Sequence, residues 1–212
     1  MRAPLVSLVL ILYVAAPSLA QEWIEYSNRG DFFAVNLPSE PKVKDIMYKS
    51  EFSIPLPGHV YTAEDEASRY TVTVVDYSEA EKKHAERVKT CKAEGGYADL
   101  CNDRSVGDLR GAIIFATWNL MKDAAKVTHF VYTQADRVEG HELHLANGDG
   151  SLTFAAIYMH ENRLYILEAT VPKGSPPPLL FQQSMRFLDK DGKGIRYDTP
   201  YSNGFPPPRR VR

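Results

Sequence analysis

The clearest pattern in the chain lies between residues 127 and 171. Residues 127–134, 141–146, 152–159 and 164–171 form four runs with a period of two, and all but 141–146 are rich in β-branched and aromatic side chains. The joins between them are short: Glu139-Gly140, then Asn147-Gly148-Asp149-Gly150, then Glu161-Asn162-Arg163. Tight Gly/Asn turns of this kind predict antiparallel hairpins, not helical crossovers. The last two runs are apolar on both sides. Leu152, Phe154, Ala156 and Tyr158 share one side, and Ala155, Ile157 and Met159 the other. A sheet buried on both faces needs cover on both.

Upstream, residues 23–26 and 32–37 read as short strands around a turn at Asn28-Arg29-Gly30-Asp31. Residues 43–54 and 59–63 are extended candidates separated by Pro55-Leu56-Pro57-Gly58, and residues 69–77 form a strong strand. The period then changes. Ser78-Glu79-Ala80-Glu81 reads as a capping box opening a helix that ends near Gly95-Gly96. Its apolar positions are sparse, so most of it should face water. A second helix, from near Asp108, carries Leu109, Ile113, Ala116, Leu120 and Ala124 at helical spacing. Phe115 and Trp118 widen that stripe, which predicts a well-buried helix. A third helix is expected over residues 178–187, started by Pro176-Pro177-Pro178. After Leu188 the composition turns polar and ends in Pro206-Pro207-Pro208-Arg209-Arg210-Val211-Arg212, which reads as an extended or disordered tail. The predicted fold is α+β, a mainly antiparallel sheet of about six to eight strands covered by about three helices.

The N-terminus reads as an address. Arg2 precedes an uncharged apolar run over residues 5–16, then Pro17 and the small residues of Ser18-Leu19-Ala20. This is the layout of a secretory signal peptide cut between Ala20 and Gln21. The run is too short to span a bilayer, which takes about 20 apolar residues. The expected organisation is therefore a signal at 1–20, one domain at 21–188 and a tail at 189–212. No other apolar run approaches membrane length, so the mature chain is expected to be soluble, without a transmembrane span, and periplasmic or extracellular.

Composition narrows the function classes. The 212 residues include 25 Lys+Arg and 27 Asp+Glu, a formal net charge of −2. That balance excludes a strongly basic nucleic-acid binder. In an exported chain the two cysteines, Cys91 and Cys101, predict a disulfide. Their spacing is neither a C-x-x-C redox pair nor a zinc knuckle.

Three phrases carry a family resemblance: Phe32-Phe33-Ala34-Val35-Asn36-Leu37-Pro38, Arg163-Leu164-Tyr165-Ile166-Leu167 and Phe181-Gln182-Gln183-Ser184-Met185-Arg186-Phe187. With the order of elements around them, residues 23–188 resemble the PsbP-like sandwich family, which includes a lumenal oxygen-evolving subunit and many bacterial envelope proteins. The resemblance implies an α/β/α sandwich around an antiparallel sheet and an accessory or binding role. It implies no shared catalytic residue, and it does not extend to the Cys91/Cys101 pair or the Pro-Arg tail.

Candidate chemistry is thin. His141 and His144 are three apart in an expected strand, so they point to opposite faces, and His160 could join one of them only through a folded-back turn. They predict no metal site. Asp189-Lys190-Asp191-Gly192-Lys193-Gly194 starts like a calcium loop, but Lys193 and Pro200 stand where oxygen ligands belong, which leaves a polar turn. Arg29-Gly30-Asp31 matches the integrin-binding tripeptide and reads more simply as a hairpin turn. Glu64-Asp65-Glu66 reads as solvated surface. No Gly-x-Ser-x-Gly elbow, phosphate loop or dinucleotide fingerprint occurs. The sequence thus predicts no catalytic residue and no cofactor. It describes a non-enzymatic envelope protein that binds an unidentified envelope protein or small ligand, with an acidic partner possible for the tail. The alternative is an envelope hydrolase whose acid–base groups, for example His129, His141 or Glu168, converge from distant positions.

Overall fold

The four hairpin-linked runs form four adjacent strands of a seven-stranded antiparallel sheet. The structure, a computed structural model, describes residues 23–65, 67–97 and 99–211. The predicted signal and the Ala20/Gln21 junction lie outside the described residues. In chain order the elements are β1 (Ile24–Asn28), β2 (Phe33–Leu37), β3 (Lys42–Lys49), β4 (Pro55–Asp65), β5 (Ser68–Asp76), α1 (Ala80–Ala93) and α2 (Ser105–Asp123). Then come β6 (Lys126–Ala135), β7 (Val138–Ala146), β8 (Leu152–His160), β9 (Arg163–Val171), α3 (Leu179–Gln182), β10 (Arg186–Phe187), β11 (Arg196–Tyr197) and β12 (Arg210–Val211). The main sheet runs β3-β4-β5-β9-β8-β7-β6, and β1-β2-β10 form a small second sheet.

Two cores lie on opposite faces of the main sheet. On one, α1 and α2 cover Leu143, Ala155, Ile157 and Leu164. On the other, the small sheet, α3 and the C-terminal segment close over Tyr61, Val72, Tyr158, Tyr165 and Leu167. β8 is buried from Thr153 to His160, as two-sided cover requires. The fold is the expected α+β sandwich, seven antiparallel strands with three helices, and its second layer holds the short α3 together with the small sheet. No helix of the described residues is long and apolar enough to cross a membrane.

Several local expectations are corrected. β4 runs through Pro55 and Pro57, because both pair only with β3, and pairing with β5 begins at Gly58. A missing amide is tolerated where a strand has a neighbour on one side. Ser78 does not cap α1: its amide donates to Asp76 Oδ1 at 2.8 Å, and Glu79 takes the N-cap position. α2 starts earlier, at Ser105, and its outer side is less buried than expected, with Trp118 60 % exposed. The third helix stops after four residues because Arg186 and Phe187 pair instead with Ala34 and Phe33 of β2. The domain does not end at Leu188: Ile195, Tyr197 and Tyr201 are buried in the second core.

Candidate functional site

A groove opens where the β1–β2 turn meets the exposed ends of β3, β4 and β5. Its volume is about 530 Å³, and Asn28, Asp31, Asp45, His59, Tyr61, Asp76 and Arg163 are among its lining residues. The turn builds its inner wall. Asn28 Oδ1 accepts the Asp31 amide at 2.8 Å, which folds the chain back and directs the Asp31 side chain inward. Asp31 is 8 % exposed. The Arg29-Gly30-Asp31 turn therefore presents no free carboxylate of the kind an integrin motif needs.

His59 and Tyr61 are two apart on β4 and so share a face. Both reach the same atom. Tyr61 Oη donates to Asp31 Oδ2 at 2.7 Å, and His59 Nδ1 lies 2.7 Å from it. A carboxylate can only accept, so His59 carries a proton on Nδ1. Its other nitrogen, Nε2, faces Asp45 Oδ1 at 3.7 Å, Asp45 being its cross-strand partner on β3. Burial raises the Tyr61 phenol pKa, and the Asp31 charge raises it further, so Tyr61 remains a donor. Tyr165 Oη donates to the Asp31 carbonyl at 2.9 Å, which pins the backbone. At the rim, the Arg163 guanidinium lies 4.0 Å from Asp76 and stacks over Phe32 at 4.5 Å. Gly58 lets the strands approach here, since a Cβ would stand 2.4 Å from the Val74 carbonyl oxygen. Three carboxylates face one guanidinium and one histidine, so the groove favours a positively charged group.

The residues singled out from the sequence are scattered. His141 points to the helical face, where its Nδ1 lies 2.8 Å from Thr117 Oγ1, and burial lowers its pKa. Glu168 lines a shallow polar trough with Arg69, Thr71, Thr73 and Thr170; burial raises its pKa and Arg69 opposes the rise. His129 stands across from His144 on the opposite face from His141. His129, His141 and Glu168 therefore do not converge in one cleft. Glu64 lies 4.0 Å from Arg69, and Asp65 accepts from Tyr70 Oη at 3.2 Å. Asp189 accepts the amides of Asp191 and Lys193 at 2.9 Å each, which closes a turn and lowers its pKa. His160 is buried against Tyr197, far in the second core.

The sulfurs of Cys91 and Cys101 are bonded, with Cα atoms 5.6 Å apart, tying the end of α1 to the approach to α2. The tail does not project as a rod. Arg209 lies 3.3 Å from Asp198, Arg210 pairs with Glu161, and β12 lies against β11. Two of the arginines offered to an acidic partner are thus engaged by the chain's own carboxylates.

Sequence reasoning missed the groove because Asp31, Asp45, His59 and Arg163 come from four separate segments. One signal was available: a lone His between prolines and a β-branched run.

No family model matches the chain, and no curated protein matches it. Among solved structures the chain is similar to cyanobacterial PsbP (CyanoP) from Synechocystis sp. PCC 6803, determined in solution, at 10 % identity and a TM-score of 0.45 over 84 % of this chain and 99 % of that one.

Proposed function

We propose that the chain is an exported, non-enzymatic binding or accessory protein of the cell envelope, and that it receives a cationic group, an amine or guanidinium, in the groove at Asp31. The observation that carries this reading is the surroundings of His59. Its Nδ1 is committed to Asp31 and its Nε2 faces a second carboxylate, Asp45. A histidine that activates a nucleophile needs a hydroxyl, thiol or water at its free nitrogen. One held between two carboxylates is built to sit in a negative field, and that field attracts cations. Export is supported by the signal-like first twenty residues and by the bonded cysteines, which persist in oxidising compartments.

The test is a titration of the mature chain, residues 21–212, followed by amide NMR shifts. Spermidine stands for a small polyamine ligand, a lysine-rich peptide for a basic partner segment, and an acidic peptide is the control. Shifts are expected at Gly58, His59 and Tyr61 with one or both cations. Asp45→Asn, at an exposed position, should weaken binding about five-fold or more. Unmoved resonances, or equal affinity in Asp45→Asn, would refute the groove. His59-dependent hydrolysis of p-nitrophenyl esters would favour the hydrolase alternative. N-terminal sequencing of protein from fractionated cells should find Gln21 first, in the envelope or medium; a retained Met1 in the cytosol would refute export.

A further inference from the structure

At the opposite edge of the main sheet, β6 and β7 bring three metal-ligating side chains together. We propose that His129, Glu142 and His144 form a binding site for a divalent transition ion, with Zn2+ the best-matched. The inference does not depend on the groove.

The site is made by a break in strand register. Val127 pairs with Leu145, but His129, two residues on, pairs with His144, the next residue on β7. The extra residue, Thr128, is a β-bulge, and its hydroxyl donates to the His144 carbonyl at 2.9 Å. Without the bulge Thr128 would stand opposite His144. With it, the two imidazoles lie side by side, ring centroids 4.5 Å apart at 31°. Glu142 shares their face because it is two residues from His144. Its Oε1 is 3.2 Å from His144 Nε2. One donor atom from each of the three residues fits within 4.8 Å of the others.

A tetrahedral Zn2+ with bonds of about 2.0 Å holds its donors about 3.3 Å apart. The Glu142–His144 pair already has that spacing, and His129 offers a ring nitrogen within 4.8 Å of both donors. Phe154, the cross-strand partner of His144 on β8, packs against its ring at 4.7 Å and restrains it. Two imidazoles and one carboxylate suit Zn2+ and its neighbours; Mg2+ and Ca2+ prefer all-oxygen shells. Glu142 and His144 keep 28 % and 29 % of their side-chain surface, so the ion can enter and water can complete its shell.

Isothermal calorimetry with Zn2+ on the EDTA-stripped mature chain is expected to show one saturable site of micromolar or tighter affinity. Co2+ should give the visible absorption of a four- or five-coordinate ion. His129→Ala and His144→Ala should each weaken binding at least about ten-fold. His141→Ala, on the opposite face of β7, should leave it unchanged. Thermal unfolding by circular dichroism checks that each variant folds. His129 sits on an edge strand, so its variant should retain the parent melting temperature without metal. No saturable binding by the wild type, full affinity in the His129→Ala/His144→Ala double variant, or an equal loss in His141→Ala would overturn the site.

Discussion

Asp108 and His84 are both completely buried, and they hold each other. His84 Nε2 on α1 lies 2.8 Å from Asp108 Oδ2 in the first turn of α2, and Ser50 Oγ donates to the same oxygen at 2.6 Å. Three segments are thereby locked at one atom, beneath helices whose apolar contacts are modest. Taking away one partner strands the other's polarity in the interior. His84→Ala should therefore destabilise the fold by about 3 kcal/mol or more, read as a lower urea midpoint with an unchanged slope. A loss under about 1 kcal/mol would mean that water replaces the imidazole. None of this shows in the residue order. His84 lies on a helix with a polar pattern, and nothing in a 24-residue separation signals contact. Asp31 was equally hidden, since a turn aspartate normally faces solvent. Burial, which gives both carboxylates their role, arises only when distant segments pack.

The elements whose periods are strongest in the chain are those the structure contains. β5, β6, β8 and β9 announce themselves by β-branched and aromatic residues, β7 by its alternation between short Gly/Asn turns, and α2 by its stripe. Where whole elements differ from expectation, a tertiary neighbour outcompeted a local preference. β10 formed where helix was expected, because β2 offered Phe187 a place in the second core. The bulge at Thr128 is invisible for the same reason, since it exists only in the pairing with β7. α1 is the element most dependent on outside support, as Ala80 and His84 are its buried residues. The Cys91–Cys101 bond closes a short loop at its end. Reduction should cost about 3 kcal/mol in the chain-entropy account. Hydrogen exchange should then accelerate first in the last turns of α1. Unchanged exchange there on reduction would show that packing alone retains the helix end.

At the scale of the whole molecule, the second core is closed by residues that follow the apparent end of the domain. The polar run after Leu188 looks like a boundary, yet it is a turn: Leu188 and Gly194 bridge, and the Ile195 amide donates to the Phe187 carbonyl at 2.8 Å. With only Ile195, Tyr197 and Tyr201 as apolar anchors, the segment carries too weak a pattern to be read as core. Its latch is His160 at the end of β8, with Nε2 2.7 Å from Tyr197 Oη and its ring between Phe187 and Tyr201. Burial, opposed by the Glu161 charge and aided by Arg210 and Arg163, pushes the His160 pKa down to about 4. An unfolded chain holds that proton with a pKa of about 6.5. The unfolded state therefore takes up the proton first as pH falls, and stability drops through the window from about 6.5 to about 4, then levels off. Between about pH 7.5 and pH 5 this one group should remove about 2 kcal/mol, measured by urea unfolding at each pH. His141, also lowered by burial, acts in the same direction, so the informative quantity is a difference. His160→Phe keeps the ring and discards the proton site. It should flatten the dependence by that amount, whatever its own cost at neutral pH. If the variant loses as much stability as the parent on acidification, the latch is not where the proton acts.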